Sequence, residues 1–573
     1  MAGEATPLAR PWQSSNRLKS STKGFIVLAV VLVMIVAQTE LVASKWEQRQ
    51  PTSSSRSLFT CPQLGPLNPS KGSKTWLDRF ESRDFVNAAV ERFSGAIQIP
   101  TESFDNVKVV HSTKIQEDNF VRFKDHLLTS FPKIRDTLNL TIINTHSLLF
   151  TWQGTTPTTA PLLLMSHMDV VPVLPETLSQ WTHPPFSGHI DHPNDWIYGR
   201  GSVDTKGTVM ASLEAIESLL AVGFTPRATV YVSFGHDEEK GGFAGAKEVS
   251  KYMENVLGLG GRVGMVVDEG LDSFTEEAGV SVVTVAVAEK GIATFEVVVE
   301  THGGHSSVPP RNTGVGVMAQ IVAAVEARPF PVVLSERNPF LRTVVCKDEY
   351  AGVVDTIVRE GLRGFYEGGR EVLAEYLASK SLASRYRMAT SQAVTKINGG
   401  LKVNALPEVV TAYIQDRVSM DSSTAEVLDV TWKNILPVAK ELGLGFKVIN
   451  IGEVVYEWVP PAGSNVGNVT ITLPLTGLEP SPVSPTDNDA WRVMEGTIHS
   501  VYEEAGKKVI VAPGLMNGNT DTKFFWGLSK NIYRFAPVMG GEGYHTVNER
   551  ASIKGYIKAI KFYHELIRNY DEI

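Results

Sequence analysis

Cysteine and excess positive charge are both scarce in this chain. Its 573 residues include only two cysteines, Cys61 and Cys346, which excludes a small domain held together by disulfides. Lysine and arginine total 54 against 62 aspartate and glutamate residues, whereas a nucleic-acid-binding protein normally presents a basic excess. Disorder is excluded as well, because 43% of the residues are hydrophobic. The composition indicates a mildly acidic globular protein of roughly two to four domains with no nucleic-acid partner.

Charge is missing altogether from the stretch 24–37, whose sequence is GFIVLAVVLVMIVA. Extended to Ala43 it has about 20 residues, enough for a helix that spans about 30 Å of hydrocarbon. We therefore predict an uncleaved transmembrane signal anchor at 24–43 behind a tail at 1–23. A cleaved signal peptide is the alternative, because Ala37 and Ala43 are small residues of the kind found at cleavage sites. Basic residues in the tail favour a cytoplasmic N-terminus and a body in a lumen or outside the cell: Arg10, Arg17, Lys19 and Lys23.

Glycosylation sequons agree with a lumenal body, since Asn139-Leu140-Thr141 and Asn468-Val469-Thr470 can be modified only in the secretory pathway. Cys61 and Cys346 could pair in an oxidising lumen, although two separate thiols are an equally good interpretation. Residues 44–75, rich in serine and proline, are predicted to form a linker between anchor and body.

Short apolar runs alternate with longer helical patterns from about Trp76 onward, which is typical of an α/β protein with a mostly parallel sheet. The buried strands are predicted at 162–166, 228–234 and 263–267, and an amphipathic helix at 206–221. Alternating strands begin near Gly291 and again at 409, with helices at 314–327 and 423–442. We therefore predict a catalytic domain formed by 76–292 and 481–573, interrupted by an inserted α+β domain at 293–480 that serves as a lid or in dimerisation.

Polar side chains interrupt each predicted buried strand at its carboxyl end, where α/β sheets bind their ligands. Like charges gathered there would raise one another's pKa values unless a cation neutralised them. Histidine with aspartate and glutamate is the ligand set of a hydrolytic zinc site, and a carboxylate shared by two metals gives a two-metal site. The residues in question are His167, Asp169, Asp204, Glu238, Glu239, Asp268 and Glu269.

These segments resemble the M20 family of two-zinc metallopeptidases and aminoacylases. The similarity is carried by SHMDVVPV, GRGSVDTKG, FGHDEEKGG, VVDEG, THGGHSS and GYHTVNE, in the family's order from about residue 76 to the C-terminus. The anchor, the long linker and HTVNE look most like the fungal vacuolar carboxypeptidase S group, which releases amino acids from Gly-Xaa peptides, and the related N-acyl-amino-acid hydrolases.

The resemblance implies two zinc ions per subunit and a role for each matching residue. His167 and Asp268 would bind one ion, Glu239 and His545 the other, and Asp204 would bridge them. Glu269 stays open as an alternative to Asp268. Glu238 would be the general base, Asp169 would fix the tautomer of His167, and His305 would stabilise the oxyanion. Asn404 and Arg417 would contact the substrate carboxylate.

Some of these positions have ordinary structural interpretations too. His305 could be a surface histidine, and Arg417 could form a structural salt bridge as readily as bind a carboxylate. The segment GNTDTKFF has Lys523 where the family often has arginine, which leaves the detailed recognition of the substrate open.

The function expected from the resemblance is a zinc-dependent carboxypeptidase that acts on short peptides in the lumen of the vacuole, held by a single N-terminal helix. The alternatives are an N-acyl-amino-acid amidohydrolase with the same site, a secreted or processed soluble form, and a non-catalytic membrane-tethered binding protein. A homodimer is a possible state, in which His305 would come from the same chain or from a partner.

Overall fold

The computed structural model describes residues 59–69, 75–104, 110–270, 273–277, 279–350, 355–463, 466–473, 477–504 and 507–573. The predicted tail and anchor at 1–43 lie outside these ranges. Over the ranges described, no helix has both the length and the apolar character needed to cross a membrane.

Strands and helices alternate along the described part of the chain. In chain order the strands are β1 (Asn139–Ile143), β2 (Ser147–Trp152), β3 (Leu162–His167), β4 (His189–Asp191), β5 (Trp196–Tyr198), β6 (Val230–Gly235), β7 (Met265–Asp268), β8 (Phe274–Glu277), β9 (Val280–Glu289), β10 (Gly291–Thr301), β11 (Gly304–His305), β12 (Ser391–Gly399), β13 (Ala405–Leu406), β14 (Val409–Val418), β15 (Gly445–Asn450), β16 (Glu453–Trp458), β17 (Gly467–Leu473), β18 (Lys508–Met516), β19 (Ile532–Arg534) and β20 (Arg550–Ser552). The α-helices are α1 (Thr75–Asp78), α2 (Arg83–Ile97), α3 (Val110–Ser130), α4 (Pro132–Thr137), α5 (Lys206–Ala221), α6 (Ala246–Asn255), α7 (Gly314–Glu326), α8 (Phe340–Tyr350), α9 (Thr356–Arg363), α10 (Arg370–Lys380), α11 (Leu382–Met388), α12 (Thr424–Glu441), α13 (Asp489–Tyr502) and α14 (Ile553–Tyr570).

The larger sheet has the strand order β1-β2-β6-β3-β7-β19-β9-β18, with β8 paired to β9. Strands β6, β3, β7 and β19 run parallel at its centre. Antiparallel pairs join β1 to β2, β2 to β6, β19 to β9 and β8 to β9, so the sheet is mixed rather than mostly parallel. The parallel centre still places the carboxyl ends of β3, β6 and β7 side by side.

Helices cover both faces of this sheet, and for that reason its central strands are largely apolar. Leu162 and Leu164 of β3 belong to a core that also contains residues of α2, α5 and α14. The alternate residues Leu163 and Met165 face a second core with α6. The helix predicted at 206–221 is α5, and all but three of its residues are buried because it lies between the sheet and other helices.

The inserted region forms its own six-stranded sheet in the order β12-β14-β10-β17-β15-β16. Buried and partly buried residues alternate strictly along β10 from Gly291 to Val299. Its inward side chains, such as Phe295 and Val297, pack in one core with α7 and α12, so helices cover one face of this sheet.

Part of the predicted insertion packs against the larger sheet instead. Helix α8 lies within 293–480, yet Thr343 donates a hydrogen bond from Oγ1 to the carbonyl of Pro513 in β18 at 2.7 Å. The inserted sheet is therefore built from two separate stretches, with residues of α8 between them joined to the catalytic side.

Residues 59–69, which we call the N-terminal strap, lie against the body although they fall within the linker predicted at 44–75. Cys61 forms a disulfide with Cys346 of α8. Gln63 pairs with the backbone of Val511 through both its amide oxygen and its amide nitrogen, at 2.8 and 3.0 Å. Leu67 N donates to the carbonyl of Gly496 at 2.9 Å. The interpretation of the cysteines as a pair is thus the one that the structure shows.

Candidate metal centre

Three parallel strands deliver the site. His167 is the last residue of β3, Asp268 is the last residue of β7, and a single turn of 3₁₀ helix at Glu238–Lys240 follows β6. Asp204 lies just before α5. Since β6, β3 and β7 are neighbours in the sheet, their ends meet at one edge, as the sequence predicted.

The first group of possible metal ligands comprises His167, Asp204 and Glu269, whose ligand atoms lie within 4.8 Å of one another. The Nε2 atom of His167 is 3.0 Å from Asp204 Oδ1 and 3.4 Å from Glu269 Oε1. The His167 side chain is only 1% exposed, whereas both carboxylates reach the surface of the cleft.

The second group comprises Asp204, Glu239 and His545, again with ligand atoms within 4.8 Å. The Nε2 atom of His545 is 3.0 Å from Asp204 Oδ2 and 3.4 Å from Glu239 Oε2. Asp204 therefore offers one oxygen to each group, which is the geometry required of a bridging carboxylate. His545 lies on a turn with a φ of 53° and is 55% exposed, so this second group is the more open of the two.

Glu269, and not Asp268, is the acidic residue that joins the first group. Asp268 still lies within the buried end of β7, and its Oδ2 atom is buried without a hydrogen-bond partner. Glu269 comes one residue after the strand, where its longer side chain reaches His167. Between the two alternatives that the sequence left open, the geometry favours Glu269.

Asp169 positions several other residues of the site through hydrogen bonds. Its Oδ1 atom accepts a hydrogen bond from the backbone N–H of Glu238, and its Oδ2 atom accepts one from that of Glu239, both at 3.1 Å. Ser103 Oγ donates to Oδ2 at 2.7 Å. The Nδ1 atom of His167 lies 2.9 Å from the Asp169 carbonyl oxygen and 3.4 Å from its carboxylate. Asp169 therefore holds His167 largely through its backbone, and uses its carboxylate to fix the turn that carries the two glutamates.

The charges of the cluster call for cations at two points. Hydrogen bonds that its imidazole donates to Asp204 and Glu239 raise the pKa of His545 to about 10. Burial disfavours a charge on His167, but neighbouring carboxylates, Glu269 above all, outweigh it and raise the pKa of that imidazole well above its usual value. Burial raises the pKa of Glu269 to about 8. A divalent cation in each group would be bound by these imidazole nitrogens and carboxylate oxygens. Glu239 Oε1, which is buried without a hydrogen-bond partner, has a lone pair to offer such a cation.

Glu238 stands beside the two groups without belonging to either. Burial, followed by the nearby charge of Glu269, raises its pKa well above the usual value. A carboxylate whose pKa is raised is a stronger base than an ordinary one, which suits Glu238 to accept and return a proton.

His305 lies on an exposed two-stranded ribbon formed by β11 and β13, and Asn404 comes directly before β13. Ser306 N donates to the Asn404 carbonyl at 3.1 Å, and His305 Nδ1 lies 2.7 Å from Ser307 Oγ. The hydrogen bonds of His305 are thus local to the ribbon, and the structure does not bring this side chain into contact with the metal-ligand groups.

Arg417 has a different environment, because it lies on β14 with its side chain half-buried. Its Nη1 atom donates to Asn519 Oδ1 at 2.6 Å. The charges that act on it include those of Glu238 and Glu289. The structural salt bridge considered from the sequence is not formed, since no carboxylate in the described ranges lies within 4.0 Å of this guanidinium.

Glu549 is a site residue that sequence reasoning did not single out, although it ends the HTVNE motif. It is fully buried and its two oxygens accept hydrogen bonds from the backbone N–H groups of Gly201, Val203 and Asp204 at 2.8 to 3.2 Å. Arg200 balances its charge at 2.7 Å. Glu549 therefore fixes the loop that presents Asp204, and its position four residues after His545 in the same motif was the available signal.

A mixed α/β sheet with an inserted second sheet, and two groups of possible metal ligands that share one carboxylate, form an arrangement suited to a metallohydrolase. Residues 163–569 match the family described as Peptidase family M20/M25/M40, and the chain belongs to that family. The predicted resemblance and the enzyme class, an M20-type metallo-exopeptidase, are thereby confirmed.

Relatives and solved structures agree with this assignment. Carboxypeptidase S of Saccharomyces cerevisiae is 35% identical over 582 residues, covering 99% of this chain and 99% of that protein. The human N-fatty-acyl-amino acid synthase/hydrolase PM20D1 is 32% identical over 528 residues, covering 89% and 93%. The crystal structure of human carnosine dipeptidase 1 has the same fold, with a TM-score of 0.59 and 14% identity over 88% of this chain and 100% of that one.

Proposed function

We propose that the protein is a two-zinc carboxypeptidase that releases the C-terminal amino acid from short peptides. The observation that carries this proposal is the pair of ligand groups that share Asp204, next to a partly buried glutamate, Glu238, that belongs to neither. His167, Asp204 and Glu269 would hold one zinc ion, and Asp204, Glu239 and His545 the other. When bound, the two ions supply Lewis acids that polarise the scissile carbonyl and activate a water molecule.

Glu238 performs the proton transfers in this proposal. Its raised pKa allows the carboxylate to take a proton from the attacking water and return it to the leaving amine. Asp169 holds the backbone of Glu238 and Glu239 at fixed positions, so that the metal ligand and the base stay adjacent. Arg417, which has no carboxylate partner among the residues that the structure describes, binds the C-terminal carboxylate of the substrate.

Substitution of the base tests the proposal. Glu238→Gln should lower the hydrolysis rate of a dipeptide by about 100-fold or more while the purified protein keeps its zinc. Glu248→Gln is a matched control, because Glu248 lies on α6 and pairs with Lys251 at the surface. Turnover by Glu238→Gln at the rate of the wild-type protein would contradict the assignment.

Hydrolysis of N-acyl amino acids is the second candidate, and the human N-fatty-acyl-amino acid synthase/hydrolase relative favours it. The same residues serve both reactions, because each reaction breaks an amide bond on the amino group of an amino acid whose carboxylate is free. Comparing kcat/KM for a Gly-Xaa dipeptide with that for an N-fatty-acyl amino acid of the same Xaa separates the two. A higher value for the acyl substrate would make the amidohydrolase the main activity.

The proposed location is the vacuole, with the body in the lumen and the predicted anchor at 24–43 in the membrane. The disulfide between Cys61 and Cys346 supports an oxidising compartment. Asn139 and Asn468 are both exposed, as glycosylation requires. Endoglycosidase treatment and carbonate extraction test these points, and an unglycosylated, fully extractable protein would contradict them.

A further inference from the structure

The guanidinium of Arg417 is held by a neutral amide. Its partner is Asn519 Oδ1 at 2.6 Å, and β14 places Arg417 beside Ile292 at the beginning of the inserted sheet. A carboxylate at the position of Asn519 would neutralise the arginine, whereas an amide holds it and leaves its positive charge available. The arginine is thus oriented but not paired.

The other end of the Asn519 amide is bonded to the connection between the two sheets. Asn519 Nδ2 donates to the carbonyl of Lys290 at 2.5 Å, and Lys290 is the single residue between β9 and β10. The two bonds determine the orientation of the amide, because a flipped amide would direct its NH₂ group at the guanidinium and its oxygen at a carbonyl. Asn519 therefore links Arg417 of the inserted sheet to the backbone of the catalytic side.

A buried network holds the turn that carries Asn519. Glu289 Oε1 accepts from Thr520 N at 2.7 Å, and Glu289 Oε2 accepts from Thr522 Oγ1 at 3.0 Å. Arg534 pairs with Glu289 at 3.0 Å, and both side chains are at most 1% exposed. The support beneath Asn519 is therefore rigid, so that its amide can define where the arginine points.

We propose that Asn519 is a positioning residue that orients Arg417 toward the substrate and so sets the preference for a free C-terminal carboxylate. The inference rests on the proposed function, in which Arg417 binds that carboxylate. With aspartate at 519, an internal ion pair would compete with the substrate. With alanine, the guanidinium would lose its only hydrogen-bonded support among the described residues and take other rotamers.

The test compares glycyl-leucine with glycyl-leucinamide, which lacks the carboxylate. Asn519→Asp should raise KM for glycyl-leucine about tenfold or more, change kcat by less than about threefold, and leave kcat/KM for the amide unchanged. Asn519→Ala should raise the same KM by a smaller factor. In an Arg417→Ala background, Asn519→Asp should have no further effect on either substrate, because the residue that it positions is gone.

Asn517→Ala is the matched control, since Asn517 lies on the same turn but donates to the carbonyl of Ala383, and its kinetics should equal those of the wild type. Equal losses on both substrates, or additive effects of Asn519→Asp and Arg417→Ala, would overturn the positioning role. If the wild-type protein hydrolyses glycyl-leucine and the Asn519 variants have the same kinetic constants, this inference is refuted and the proposed function is not. A wild-type protein that hydrolyses neither peptides nor N-acyl amino acids would refute the proposed function and this inference with it.

Discussion

At the scale of single residues, Asp268 and Glu269 are adjacent in the chain, but only Glu269 belongs to a group of possible metal ligands. Glu269 Oε1 lies 3.4 Å from His167 Nε2, while Asp268 belongs to neither ligand group. Glu269→Gln should therefore remove about one of two bound zinc equivalents, measured by atomic absorption after dialysis. Asp268→Asn, the matched control, should retain both, and the reverse pattern would show that Asp268 is the ligand.

Asp416 predicts a dependence of stability on pH that is separate from the metal site. Its side chain is fully buried, neither oxygen has a hydrogen-bond partner, and burial raises its pKa to about 8. The unfolded carboxyl ionises near pH 4, so folding takes up a proton, and stability falls as the pH rises from about 4 to about 8. The charge of Lys290 acts on Asp416, and burial lowers the pKa of Lys290 to about 7, so the lysine stays protonated in both states at pH 4.5 to about 6.

Asp416→Asn removes this linkage, because the amide does not titrate. The stability gained by the variant over the wild type should be small at pH 4.5 and grow toward pH 6, with an upper limit on the order of 1.4 kcal/mol per pH unit. Urea unfolding at a series of pH values measures the difference. A difference that stays constant with pH would show that Asp416 is ionised in the folded protein.

Which of these residues could be predicted depended on how local their signals are. His167 and Glu239 follow apolar runs and Asp204 precedes a long, mostly apolar helix, and hydropathy alone locates such boundaries. The choice between Asp268 and Glu269 depends on where β7 ends, and a sequence locates a strand end only to within a few residues. The role of Asn519 depends on Arg417 and Lys290, which lie more than 100 residues away, and no local pattern records such contacts.

At the scale of elements, the order of the strands was the least predictable feature. Strand β19, near the C-terminus, lies between β7 and β9, and β18 pairs with β9 across more than 200 residues. The positions of the individual strands β3, β10 and β14 were predicted to within about two residues. The apolar residues of each strand either alternate with polar ones or form a continuous run, and both patterns are visible in the sequence. Pairing between distant strands depends on complementary surfaces of whole layers, which one strand's sequence does not contain.

The disulfide between the N-terminal strap and α8 leads to a prediction about stability. The disulfide joins residues that are 285 positions apart, so its loss should increase the conformational entropy of the unfolded chain. Cys61→Ser together with Cys346→Ser should lower the free energy of unfolding by about 2 to 5 kcal/mol, measured in denaturant. Dithiothreitol should have the same effect on the wild-type protein and none on the double variant, and unchanged stability in both would contradict the prediction.

At the scale of the whole molecule, the exposed ribbon of β11 and β13 raises the question of a second subunit. Leu401 and Val403, next to Asn404, have fully exposed side chains, and Val308 is 80% exposed. A contiguous apolar patch, unlike single exposed apolar residues, marks an interaction surface. We propose a homodimer that covers these side chains, with His305 reaching either the active site of its own chain or that of its partner.

Mixing two inactive variants tests this arrangement. If His305 acts in trans, a heterodimer of His305→Ala and Glu238→Gln contains one intact site, so partial activity should return after subunit exchange. The same mixture should stay inactive if His305 serves its own chain. Light scattering checks the oligomeric state, and a monomer with full activity would contradict the dimer.

The N-terminal strap also determines where a mechanical force enters the molecule. A pull on the chain before Phe59 meets its first covalent link to the body at Cys61, and the bond to Cys346 limits further extension of the strap. The force then passes to α8 and to β18, which is an edge strand separated from β7 by β9 and β19. Tension on a tether would therefore load the far edge of the larger sheet and spare the strands that carry the metal ligands.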